Sequence, residues 1–172
     1  SLGEHASHRQ ALQAFLELAA AHTASLRGIG HRVVHGGERF RHSTLMDDQA
    51  IADLAELSAL APLHNPLNLQ GIELCRELFA GIPQVAVFDT SFHQTIPESA
   101  YLYGVPYDWY EQNAVRRYGF HGTSYRYVTQ AAAARLGKPA DEVNLLIAHL
   151  GNGCSATAVL NGQSVDSSMG LT

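Results

Sequence analysis

Charge is scarce in this 172-residue chain. Only 16% of its residues are Asp, Glu, Lys or Arg, against roughly 25% in ordinary soluble domains. A surface so thinly charged is expected to be covered in part by something else. The few Lys and Arg form no run and the net charge is −5, which argues against nucleic acid and membrane surfaces as partners. Cysteine is nearly lacking as well. Cys75 and Cys154 stand far apart with no C-x-x-C pair, the usage of a reducing compartment, so we expect a cytoplasmic protein. No apolar run reaches membrane-spanning length and nothing reads as a signal peptide. The sequence also lacks an initial Met and stops at Gly170-Leu171-Thr172; we read it as a piece of a longer protein. Repeats and low-complexity stretches are missing too.

What is present alternates between helix and strand signals. Leu12, Phe15, Leu16, Ala19 and Leu26 share a stripe that predicts a helix over 8–26, ended by Gly28. A short strand over 30–34 runs into His35-Gly36-Gly37. Residues 47–60 read as a second helix with acids in its first turn. Asn65-Pro66 opens a third, Asn65 as its cap and Ile72, Cys75, Leu78 and Phe79 as its buried face. The apolar run 84–88 predicts a strand buried on both faces. It ends at Asp89, exposed enough to act and held where open α/β sheets place their ligands. Residues 94–118 are irregular but rich in aromatics, which argues against disorder. Thr123 or Ser124 can cap a helix through Leu136, stopped by Gly137. Residues 143–150 predict a second buried strand, and 155–160 return from the Gly151-Asn152-Gly153 turn. Asn161-Gly162 is a hairpin signal that sends the chain back along 163–166.

Five clusters carry groups that can do chemistry, each at a strand end or in a glycine turn. Arg32 and Val34 share one strand face, a planar fork beside an apolar wall suited to a small carboxylate, or else an edge-strand Arg in a surface ion pair. Leu63-His64 precede the third helix and either face the same cavity or form a capping loop. In Tyr118-Gly119-Phe120-His121-Gly122, two glycines flank a His just ahead of a helix N-terminus, a place that favours anions. His149-Leu150-Gly151-Asn152-Gly153 follows a strand and can form an anion-binding nest. Asp89 is the fifth, unless it merely ends its strand. Ten His invite a metal reading, but His31 and His35 fall on a strand and no H-E-x-x-H occurs, so no metal site is expected within this chain. The sum is the equipment for phosphoryl transfer to a small carboxylate, in which catalysis is positioning plus charge neutralisation. A non-catalytic interaction or dimerisation module, using the aromatic stretch 101–110, is the alternative of another class; a metal-dependent hydrolase is a third.

These blocks resemble the bacterial acetate kinase family. His31-Arg32-Val33-Val34-His35-Gly36-Gly37-Glu38, Pro62-Leu63-His64-Asn65-Pro66, Val87-Phe88-Asp89-Thr90-Ser91-Phe92-His93, Tyr118-Gly119-Phe120-His121-Gly122-Thr123-Ser124 and His149-Leu150-Gly151-Asn152-Gly153 occur in the family's order. The resemblance implies an α/β protein of the acetate and sugar kinase/Hsp70/actin (ribonuclease H-like) fold. It implies part of two lobes: residues 1–92 as the later part of the first, and residues 93–172 as the crossover and the start of the nucleotide-binding second. It implies reversible phosphoryl transfer from ATP to acetate, giving acetyl phosphate and ADP, with Mg²⁺, by a parent enzyme expected to be a homodimer. A propionate or butyrate kinase is the near variant, since one methylene discriminates weakly. By resemblance, Asp89 is the catalytic aspartate and His121 stabilises the transition state. Arg32 binds the carboxylate, and Val34, Leu63 and Phe120 surround the acyl methyl. His149, Leu150, Gly151, Asn152 and Gly153 form the phosphate loop. Tyr125 and Cys154 depart from the usual His and Ala, and neither touches these roles. A preceding strand with a phosphate loop, and a following arginine, adenosine-binding segments and a Mg²⁺-binding glutamate, are expected outside residues 1–172, and an isolated piece of this extent is expected to be inactive.

Overall fold

The computed structural model describes residues 7–18 and 25–171. Helix α1 covers His8–Leu18. The remainder of the expected 8–26 helix falls mostly on 19–24, outside the described residues. Phe15, placed on its buried stripe from sequence, is exposed; α1 is tied instead by Arg9, whose guanidinium pairs with Glu77 at 2.6 Å.

The first sheet is built from β1 (Ile29–Val33), β2 (Thr44–Leu45) and β3 (Gln84–Phe88), in the order β1-β3-β2. β1 runs parallel to β3 with Val33 opposite Phe88, and β2 is antiparallel. The crossover between β1 and β3 carries α2 (Asp48–Glu56) and α3 (Asn65–Leu78). Asp47 caps α2 by accepting from Ala50 N–H at 2.8 Å. Asn65 does not cap α3. It is the first helical residue, and its side chain brackets the backbone of His35, accepting its N–H at 3.2 Å and donating to its carbonyl at 2.9 Å. The core of this half is Val33, Phe40, Met46, Leu54, Ile72, Ala86 and Phe88, with Phe40 stacked on Phe88 at 4.5 Å. Leu78 is exposed, and Leu74, two residues from Ile72 and so on another face of α3, is buried. β3 alternates fully buried Ala86 and Phe88 with half-buried Val85 and Val87, so it is covered unequally on its two faces.

Residues 91–118 hold short helical turns, including α4 (Glu98–Tyr101) and α5 (Asp108–Asn113). Buried Arg116 organises them: its guanidinium lies 3.6 Å from the Tyr101 ring centroid and 2.6 Å from the Glu38 carboxylate. α6 (Gly122–Leu136) follows and ends at Gly137, whose φ of 66° is the usual left-handed stop. The second sheet is antiparallel: β4 (Leu145–Leu150), β5 (Cys154–Leu160) and β6 (Gln163–Ser167) in chain order. Asn161 and Gly162 both take positive φ in the β5–β6 turn, as a tight hairpin requires. β4 is not a fully buried strand. Ile147 packs on Tyr125 and Val159, but Leu146 is 83% and Leu150 80% exposed. No helix among the described residues is long and apolar enough to cross a membrane.

Candidate active site

Asp89 lies where the two halves meet. Its N–H donates to the Val33 carbonyl of β1, and its own carbonyl accepts from Gly122 N–H at the start of α6, both at 2.9 Å. In the parallel register Arg32 faces Val87; two residues on, Asp89 leaves the sheet on the same face. Arg32 therefore reaches it as a fork, Nε to Oδ1 at 3.0 Å and Nη2 to Oδ2 at 2.6 Å. The sequence placed Asp89 where solvent could meet it. Its carboxylate is instead 2% exposed beneath an Arg32 side chain that is 64% exposed. The fork commits only part of its five donors to Asp89, leaving the others for a second anion.

His121 is held from three sides. It sits in left-handed backbone, φ 58°, immediately before α6, and it, rather than Thr123 or Ser124, occupies the cap position. Gly122 next to it is fixed by close approach: a Cβ there would stand 2.2 Å from the Asp89 carbonyl oxygen. The His121 ring stacks on His149, centroids 4.1 Å apart. His121 Nδ1 is 2.8 Å from Ser155 Oγ, and His149 Nδ1 is 3.0 Å from Ser124 Oγ. Burial lowers the His121 pKa, neighbouring His149 and Arg32 lower it further, and Asp89 opposes them. The shift favours the neutral ring, a hydrogen-bond donor rather than a cation.

Arg32, Asp89, His121, His149, Asn152 and Gly153 line one cavity of about 420 Å³. Thr123 and Ser124 complete its wall. The other residues named from sequence lie off it. Leu150 is exposed, Gly151 hydrogen-bonds across its own turn to Gly153, and Phe120 is buried with its ring against His35 at 5.4 Å. Val34 is half-buried, its N–H held by Asn68 Oδ1 at 3.0 Å. Leu63 is 79% exposed on the loop before α3. Ser155 was not singled out by sequence reasoning and Tyr125 was set apart from the site roles, yet the Tyr125 hydroxyl is 2.5 Å from Ser155 Oγ. The signal for Ser155 was faint: inward positions of β5 carry Ser155 and Thr157 where a core strand would carry Val or Ile.

A guanidinium with spare donors, a neutral His and the N-terminus of a 15-residue helix converge on this cavity, all favouring an anion. Its one carboxylate is already neutralised by Arg32. Among the described residues no three His, Cys, Asp or Glu side chains cluster as a metal site.

The family model for the acetokinase family matches residues 1–172. Acetate kinase 1 of Vibrio cholerae is 53% identical over 99% of this chain and 44% of its own length. The crystal structure of Porphyromonas gingivalis acetate kinase superposes with a TM-score of 0.91 at 43% identity, over 96% of this chain and 43% of that one. A propionate kinase from Francisella tularensis gives 0.94 at 44% identity, over 99% of this chain and 44% of that one. The fold is thus the one these acyl kinases share, and the chain spans less than half the length of each relative. From residue 1 to residue 172, this chain belongs to the acetokinase family.

Proposed function

We propose that the protein carrying this chain transfers the γ-phosphoryl group of ATP reversibly to acetate, giving acetyl phosphate and ADP. The observation that carries the reading is the single cavity in which Arg32, Asp89 and His121 meet the N-terminus of α6. A carboxylate oxygen attacks the γ-phosphorus, the bond to the β-phosphate oxygen breaks, and ADP leaves with that electron pair. No proton need move. The spare donors of Arg32 hold the acetate, and Asp89 fixes the fork that does so. His121, neutral, donates to the oxygens on which charge spreads. The His149–Gly153 loop, which lines the cavity through His149, Asn152 and Gly153, is proposed to meet the nucleotide phosphates, and Val34, Leu63 and Phe120, which lie off this cavity, are proposed for the acyl side.

ATP and ADP are the nucleotides of this reading, with Mg²⁺ as their companion ion. Among the described residues Asp89 is the one carboxylate lining the cavity, and both its oxygens face Arg32, so these residues do not by themselves make an octahedral oxygen cage. Propionate is the second substrate to test, favoured by the 0.94 TM-score to a propionate kinase. We further place the lobe boundary near residue 93, between the two sheets. A homodimeric protein is proposed as well, supported by the exposed apolar side chains of β4. A cytoplasmic site is proposed too, supported by two free cysteines.

Asp89→Asn in the full-length protein tests the reading. It keeps the shape of the side chain but frees Arg32 from its counter-charge, and acetyl phosphate formation with saturating ATP, Mg²⁺ and acetate is expected to vanish while the fold persists. Turnover within a few-fold of wild type would remove Asp89 from the mechanism.

A further inference from the structure

Tyr125 lies one turn into α6 beyond His121, and Ser155 is on β5; both are buried. Tyr125 Oη is 2.5 Å from Ser155 Oγ, which is 2.8 Å from His121 Nδ1. Among the described residues these are the only hydrogen-bond partners of either hydroxyl. Each hydroxyl has one proton to give. A buried phenol that donates to nothing is costly, so Tyr125 must give its proton to Ser155. Ser155 then has only His121 Nδ1 left to receive its own. The reverse direction, from a protonated Nδ1 through Ser155 to Tyr125, would leave the phenol proton with no acceptor among the described residues.

We infer that Tyr125 and Ser155 act as positioning residues that fix the tautomer of His121, leaving its single proton on Nε2, on the side of the cavity. Gly153 makes room for that nitrogen, since a Cβ there would stand 3.0 Å from Nε2. Four charged or titratable groups face the ring: His149 stacked from β4, Asp89 beyond β3, Arg32 on β1 and His93 in the turn after Asp89. None of them bonds Nδ1. His149 has its own serine, Ser124, which bonds no tyrosine among the described residues, so the chained arrangement sets His121 apart from its stacking partner. Tyr125 thus determines, through Ser155, which nitrogen of the His121 ring can donate into the cavity. A His at position 125 could end the chain as donor or acceptor; a Tyr that has no other acceptor ends it only as donor.

The meaning of this chain for catalysis rests on the phosphotransfer reading, but the tautomer is measured without substrate, so the two can fail separately. In full-length protein labelled with ¹⁵N-histidine at pH 7, long-range ¹H–¹⁵N correlations separate the two neutral forms of each imidazole. His121 is expected as the Nε2–H form. Ser155→Ala combined with Tyr125→Phe removes the donor without orphaning the phenol, and should move the tautomer ratio toward Nδ1–H by about fivefold, the worth of one net hydrogen bond. Tyr125→Phe alone leaves Ser155 donating and should move it less. His35 and His93, whose Nε2 atoms bond the carbonyls of Leu171 and Phe120, serve as internal controls for an intact fold. A proton bonded to His121 Nδ1 in the wild type overturns the inference whether or not any variant folds; an unchanged ratio in a folded double variant does the same.

Discussion

Gly122→Ala puts the docking of α6 onto Asp89 to the test. The added methyl would stand 2.2 Å from the Asp89 carbonyl oxygen and 2.9 Å from Phe92 Cβ. Ordinary contact begins near 3.4 Å, so the helix start must retreat by about 1.2 Å, the difference between 3.4 and 2.2. That retreat stretches the Gly122 N–H to Asp89 bond, now 2.9 Å, past hydrogen-bonding range. One lost bond costs about 1 kcal/mol and the overpacking about 1–3 kcal/mol. Together roughly 2–4 kcal/mol should disappear from a total of about 5–15 kcal/mol, leaving the protein folded. The chemistry should suffer more, since a 1 Å misplacement of reacting groups can cost about 10²-fold in rate. Urea unfolding of the full-length protein should show a lower midpoint with an unchanged slope, and acetyl phosphate formation should fall about a hundredfold. Gly71→Ala is the control: it lies inside α3 and its Cβ would meet nothing within 4 Å, so it should stabilise by about 0.5–1 kcal/mol. A Gly122→Ala protein with the wild-type midpoint and rate would refute the close-approach argument.

His93 is buried, and that burial lowers its pKa to about 4 against the favourable Phe120 and Asp89 contacts. The unfolded chain therefore binds more protons than the native one between pH 6.5 and about 4, and stability is lost as pH falls through that window, by roughly 3 kcal/mol at most. Urea titrations from pH 7 to 4.5 should show this slope, reduced in His93→Gln; an identical slope in both would clear His93 of the effect. Val34→Ala should shift preference from acetate toward propionate or butyrate, and unchanged kcat/KM ratios across these acids would place Val34 away from the substrate. A polypeptide limited to residues 1–172 should form no measurable acetyl phosphate, because phosphoryl transfer needs cationic groups on all sides of the γ-phosphoryl. Activity near that of the full-length protein would show that the groups within this chain suffice.

The local patterns that sequence exposes well are those whose physical cause is itself local. Gly137 stops α6 and Asn161-Gly162 turns the hairpin, both through contacts within a few positions. Asn65 shows the limit. Its side chain was free to cap α3, yet it bonds the His35 backbone thirty positions back in the chain, and no local pattern reports that. The burial of Asp89 escaped for the same reason: its cover, Arg32, comes from a neighbouring strand, and only the parallel register reveals it. β4 misled in the other direction, since an apolar run says what a strand can bury and not whether a partner covers it; Leu146 and Leu150 face outward here. The cluster at His121 was legible because its flanking glycines mark close approach. The Tyr125–Ser155 chain was not, because it joins a helix to a strand thirty residues away.

The two backbone bonds of Asp89 carry a mechanical consequence. One ties it to β1 and the other to α6. Both belong to the backbone, so a change of side chain at position 89 removes the charge and leaves the seam between strand and helix in place.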